Sequence, residues 1–244
     1  MDRTDGERVT LAQLGQDGAL FATDLQRMTE GHYWLRLVKQ GLVLEAMSDL
    51  GLVLGLTSQG RQAVLQDDLL NGDTPPYLAS PTSLLDRAYQ MLVLRHLVDD
   101  RGYKVMGAYY KSAAGLPRGK KKNKGDMGGD TGSKEKKEVT KRQYTDQRLS
   151  LVVEPPAYQP PPLDLSEDGR RAYPLVYAPL GQGPASGKTF RRLYYLHRQQ
   201  TMRWRSPVLL AVPAWTPDLR RQQELLQERK NTQKVIEILV IRPD

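Results

Sequence analysis

Between residues 10 and 61 the apolar positions fall into short blocks whose spacing changes twice. Leu11 and Leu14 stand at i, i+3 within the stretch 10–18, the spacing of a helix that buries one face. Residues 1–9 are polar and read as a frayed end, 19–29 as a second helix and 30–40 as a third. On a wheel of 100° per residue, Trp34, Leu35, Leu37 and Val38 gather on one side of that third helix. His32, Tyr33, Arg36, Lys39 and Gln40 take the other. Gly41 follows as a stop, suited to the left-handed conformation that closes helices. Two apolar runs, 42–44 and 52–54, flank Met47-Ser48-Asp49 and predict a hairpin. Thr57 or Ser58 then caps a further helix opening with Leu56-Thr57-Ser58-Gln59-Gly60-Arg61.

The break at 71–76, Asn-Gly-Asp-Thr-Pro-Pro, separates this block from an amphipathic helix over 82–101. Leu84, Leu85, Ala88, Met91, Leu92 and Leu97 form its apolar stripe, Arg95 and His96 suit its C-terminal dipole, and Gly102 ends it. His96 reads as a partly buried packing residue, and 103–111 as a short strand. Residues 112–143 are rich in Gly and Lys and poor in apolar residues, the composition of a flexible linker. Strand patterns follow at 148–153, 173–180, 206–215 and 235–241, with helices at 189–201 and 217–231. Proline-rich 155–162 makes a rigid excursion. The expected organisation is α+β: a first unit over 1–72, a bridging helix and strand over 73–111, the linker over 112–143, and a small α/β domain over 144–244.

Charge sharpens this picture. The chain of 244 residues carries a net +8, but residues 1–117 hold 11 Lys+Arg against 14 Asp+Glu. Residues 118–142 hold 10 against 4, and 186–230 hold 10 against 3. Basic character confined to a linker and the C-terminal part points to an acidic polymer as partner, nucleic acid being the usual one. There is no cysteine, and the three histidines, His32, His96 and His197, lie far apart. No disulfide, thiolate site or zinc-ligand spacing is therefore expected, and no cofactor. No apolar run reaches the length of a membrane span, and the charged start MDRTDGERVT lacks the apolar core of a signal peptide. A cytoplasmic protein is the expectation.

Gly183-Pro184-Ala185-Ser186-Gly187-Lys188-Thr189, between a strand and a helix, looks like a phosphate-binding loop. That motif needs four residues between its glycines, whereas Gly183 leaves three before Gly187 and Gly181 leaves five. Nucleotide hydrolysis is not expected; the milder use is Lys188 holding a nucleic-acid phosphate at a helix start. In the helix that follows, Phe190, Leu193, Tyr194 and His197 share one side, and Arg191, Arg192, Tyr195 and Arg198 cover the rest. Basic residues interleaved with aromatics suit phosphate contacts and cation–π packing.

The order helix, turn, helix, Gly-Leu-Val, hairpin, Leu-Thr-x-x-Gly-Arg resembles bacterial winged-helix DNA-binding domains. Joined to RQYTDQRLSLVV (142–153), YPLVYAPLGQG (173–183) and TFRRLYYLHRQQTMRWRSPVLLAVP (189–213), it is similar to the replication-relaxation family of plasmid and mobile-element proteins. The resemblance implies a winged helix-turn-helix followed by a restriction-endonuclease-like domain. In such domains an aspartate begins one strand and an acidic residue on the next completes a metal site. Asp146 matches the first position, but 173–180 contains no Asp, Glu or Lys. One carboxylate holds a metal poorly, so no catalytic or metal site is expected. The expected function is noncatalytic binding of double-stranded DNA, in a nucleoid-associated protein serving mobile-element replication, transfer or transcription. His32, Tyr33, Arg36, Lys39 and Gln40 would read the major groove, and Arg61 and the wing would touch phosphate. Lys120, Lys121, Lys122, Lys188, Arg191, Arg192 and Arg198 would add sequence-independent affinity. A homodimer is compatible with this reading, although no coiled-coil seam demands one. A metal-dependent nuclease and a protein-interaction adaptor are the alternatives.

Overall fold

The computed structural model describes residues 3–70, 75–108, 150–154, 175–177, 187, 189–191, 193–195, 208–228 and 235–243. The fold is α+β. Helix α1 (Asp5–Asp17) begins earlier than the polar N-terminus suggests. Thr4 Oγ1 accepts from the Glu7 backbone amide at 3.3 Å, and the Glu7 carboxylate accepts from the Thr4 amide at 2.8 Å. This reciprocal capping box satisfies two amides that would otherwise lack partners and starts the helix five residues early. Leu11 and Leu14 are buried as their spacing predicts. Gly18, at φ 85, closes the helix by donating its amide to the Leu14 carbonyl.

The expected second helix divides. Ala19–Phe21 form strand β1, fully buried, and only Ala22–Thr29 are helical, as α2. The chain then turns through Glu30 in the left-handed region at φ 55 and enters α3 (Trp34–Lys39). Strands β2 (Val43–Ser48) and β3 (Gly51–Leu56) make the predicted hairpin, and β3 lies between β1 and β2 in an antiparallel sheet. Helix α4 (Ser58–Gln66) starts at Thr57, whose hydroxyl accepts from the Gly60 amide at 3.0 Å. The same hydroxyl donates to the Gly41 carbonyl at 2.6 Å, so the α4 start is tied to the end of α3. Gly41 adopts φ 72, as its role as a stop requires.

Helix α5 (Leu84–Arg95) continues in wider, π-type turns through His96–Asp100. The second sheet follows in chain order: β4 (Lys104–Ala108), β5 (Ser150–Glu154), β6 (Leu175–Tyr177), β7 (Val208–Val212) and β8 (Ile236–Val240). β4, β5 and β6 pair antiparallel; β6, β7 and β8 pair parallel. The described residues between 187 and 195 are helical and lie in the β6–β7 connection. Helix α6 (Pro217–Gln223), capped by Thr216, lies in the β7–β8 connection. Glu154, one residue beyond the strand expected over 148–153, is the last residue of β5, in register with Lys104.

Helix α5 packs between the two sheets. One apolar cluster joins Phe21 and Val53 of the first sheet, Leu84, Ala88, Tyr89 and Val93 of α5, and Leu209, Ala211 and Leu239 of the second. Tyr89, fully buried, donates its hydroxyl to the Ile241 carbonyl at 3.1 Å. A side chain of that size contributes about 1.5–3 kcal/mol by burial. Charge clamps the same helix to the end of α1: Arg95 pairs with Asp17 at 2.5 Å, and Arg87 Nε donates to the Asp17 carbonyl at 2.6 Å. His96, half-buried, holds Asp100 through Nδ1 at 2.7 Å and accepts from Arg101 at Nε2. It is a hydrogen-bonded surface residue more than a packing one.

Candidate functional site

Helix α3 has six residues and is positioned by three of them. Trp34 and Leu37 are buried and Val38 is half-buried, all in the cluster that includes Leu14, Leu25, Leu54 and Val64. These fall at i, i+3 and i+4, the width of a buried stripe on one short helix. Leu35, assigned to the buried side by its apolar character, is 49% exposed. It stands roughly 100° around the helix from the centre of the stripe, too far to reach the core. It therefore joins Arg36 and Lys39 on the outward face.

That face borders an open cleft of about 590 Å³ between the start of α1 and α3. His32, Leu35, Arg36 and Lys39 rim it, and Glu7 lies at its floor. Glu7 is 2% exposed. Its Oε1 lies 3.3 Å from Arg36 Nε, an ion-pair distance, yet it has no hydrogen bond of good geometry. Charge attraction and not an aligned hydrogen bond holds the pair. Enclosing a carboxylate is costly unless a cation or hydrogen-bond donors stand beside it. Arg36 and the Thr4 amide are the groups placed to serve it.

The other expected reading residues behave differently. Tyr33 is 38% exposed, but its ring covers Gly6 of α1 and Gly31, where any Cβ would run into it. It acts as packing on the cleft wall, and glycine at both positions is what lets the ring lie there. His32 is exposed and meets Trp34 edge-on, ring centres 6.4 Å apart. Gln40 caps α3, its backbone amide donating to the Arg36 carbonyl at 3.0 Å, and is not among the residues lining the cleft. Arg61 of α4 is half-buried, with Nε enclosed and lacking a hydrogen-bond partner. The hairpin exposes Glu45, Ala46, Met47 and Asp49, and has no Lys or Arg. Its tip carries the wrong sign of charge for a phosphate contact.

In the second half, Arg191 is exposed while Phe190, Leu193 and Tyr194 are buried with β7, α6 and β8, the alternation expected of this helix. Asp218 accepts from the Gly187 amide at 2.7 Å, so a carboxylate already occupies an amide that the phosphate-loop reading assigns to an anion. Lys120, Lys121, Lys122, Lys188, Arg192 and Arg198 lie outside the described residues, as does Asp146. Of the residues the sequence grouped on α3, His32, Tyr33, Arg36 and Lys39 line one cleft, together with Leu35 and Glu7, which that grouping left out. Thr4-x-x-Glu7, a capping-box spacing, was the available signal for the second.

No family model, curated protein or solved structure matches this chain. No helix among the described residues is long and apolar enough to cross a membrane.

Proposed function

We propose that this chain is a noncatalytic, double-stranded DNA-binding protein whose α3 is the reading helix of a winged helix-turn-helix. The observation that carries this reading is the division of α3: Trp34 and Leu37 are buried, while Leu35, Arg36 and Lys39 face outward beside His32. An exposed helix face mixing a cation pair with an apolar side chain has the chemistry that major-groove edges require. Arginine or lysine donates to guanine, and an apolar group meets the thymine methyl. The preceding helix α2, the turn through Glu30 and the following hairpin frame it as such domains do. The described winged-helix region lies in the acidic part of the chain. Affinity for phosphate therefore comes from the basic linker and the basic C-terminal half, where Arg191 is exposed.

In this reading the second sheet is a nuclease-like scaffold without its second carboxylate. Strands β6 (Leu175–Tyr177) and β7 (Val208–Val212) contain no acidic residue. A role in mobile-element replication, transfer or transcriptional control, at the nucleoid, is what the sequence resemblance to replication-relaxation proteins would imply. The test is a salt titration of binding to a random-sequence 25-bp duplex, with and without magnesium. Salt-sensitive binding that leaves the duplex intact is expected. Magnesium-dependent nicking would make the protein a nuclease, and absence of binding at low salt would make it an adaptor.

A further inference from the structure

Resting on the DNA-binding reading, we infer that Glu7 is a positioning residue that fixes Arg36 for end-on recognition of a guanine. The two oxygens of Glu7 have separate tasks. Oε2 accepts from the Thr4 amide and caps α1; Oε1 faces Arg36 Nε. The carboxylate is 2% exposed on a capped helix, so it is a fixed charge and not a mobile partner. Arg36 is 48% exposed in its side chain, with Nε 3.3 Å from the Glu7 carboxylate. Arginine offers two pairs of parallel donors, one using Nε and one using the two terminal nitrogens. A carboxylate beside Nε draws that end of the guanidinium toward the protein by charge and leaves the terminal pair for a base. That pair matches O6 and N7 of guanine, the bidentate arrangement that distinguishes guanine from other bases in the major groove. A free arginine samples many rotamers and either edge, and its ordering opposes binding. Glu7 meets much of that cost in the free protein and restricts the geometry to one edge.

A purely structural role would be the cap alone, and the chemistry allows the two to be separated. Glutamine also serves at the third position of a capping box. Glu7→Gln therefore keeps an oxygen for the Thr4 amide and removes the charge facing Arg36. The experiment enriches a pool of duplexes with a 20-bp randomised core against the full-length wild-type protein, E7Q and R36A. Base preference at each position is read alongside thermal unfolding and the salt slope on unselected pool. The wild type is expected to select guanine at one position, with roughly tenfold discrimination lost in R36A. E7Q is expected to unfold near the wild-type temperature, keep the salt slope, and lose most of that guanine preference. Retention of the preference in E7Q, with loss in R36A, would overturn the positioning role while leaving the DNA reading intact. Tighter binding of E7Q to all duplexes would also overturn it, by making Glu7 a competitor of DNA. If the wild type enriches no sequence, the reading helix itself fails and this role with it. Should E7Q not fold, the Arg36 Nε–H resonance of the isotope-labelled wild-type protein carries the same question. A slowly exchanging Nε–H distinct from that of a free arginine is expected before DNA is added, and a free-arginine signal would overturn the inference.

Discussion

Helix α3 and the β2–β3 hairpin are neighbours in sequence and share one core, yet they present opposite chemistry outward. The helix is anchored by Trp34 and Leu37 and exposes His32, Leu35, Arg36 and Lys39. The hairpin is anchored by Val53, Leu54 and Leu56 of β3 and exposes Glu45, Ala46, Asp49 and Met47, the last at 79%. In a fold of this order both would be expected against DNA. The charges separate them: under the proposed reading a duplex would be attracted at α3 and repelled at the hairpin tip. Outside the hairpin, Thr57 ties the start of α4 to the end of α3 by donating to the Gly41 carbonyl and accepting from the Gly60 amide.

The largest effect that sharpens this comparison is on stability. Leu37→Ala empties a fully buried site under α3 and should cost about 2–5 kcal/mol, whereas Met47→Ala at the exposed tip should change stability by less than about 0.5 kcal/mol. Denaturant unfolding of the two variants measures both, and a comparable loss in each would mean that the hairpin tip is covered. Next comes binding. Arg36→Ala should reduce discrimination for an enriched duplex by about 1–3 kcal/mol, while affinity for unselected duplex falls less; equal losses on both would remove base reading from α3. A smaller change comes from reversing the tip. Replacing Glu45 and Asp49 by lysine should raise the salt slope of duplex binding by up to about 0.9 for each charge that reaches a phosphate. An unchanged slope would place the hairpin clear of the duplex.

The smallest effect is a control common to both surfaces, and it concerns the helix behind them. Burial pushes the Tyr89 phenol far above the usual tyrosine range, and burial followed by the Glu237 charge raises Tyr103. The folded state therefore keeps protons that the unfolded chain loses near pH 10. Stability is full below that pH and falls as pH rises past it. Tyr89→Phe should flatten this alkaline slope without altering duplex binding at neutral pH. Unfolding measured from pH 8 to 11 checks the slope, and a change in binding would show that α5 couples to the α3 face.

Much of the frame was legible in the chain because local chemistry decided it. Gly41 needs the left-handed region, Thr57 caps α4, and the α5 stripe is long enough for its period to be clear. Where tertiary contacts decide, the sequence was silent. Strand β1 is three buried apolar residues, too few for any alternation, and becomes a strand by pairing with β3 and packing on α5. Leu35 is as apolar as its neighbours, and its place around α3, beyond the edge of the buried stripe, leaves it outside. Glu7 and Arg36 lie on different helices, and nothing in either local pattern announces their pairing. The α1 start was readable from Thr4-x-x-Glu7, but a polar terminus hides such a cap unless the spacing is sought.

The most direct test of a DNA-reading α3 is a titration of the isotope-labelled full chain with duplex DNA, following the backbone amide resonances. Shifts concentrated at residues 32–39, with residues 45–49 unmoved, are the predicted result. Shifts at the hairpin without α3, or none in either element while the duplex is bound elsewhere, would contradict it.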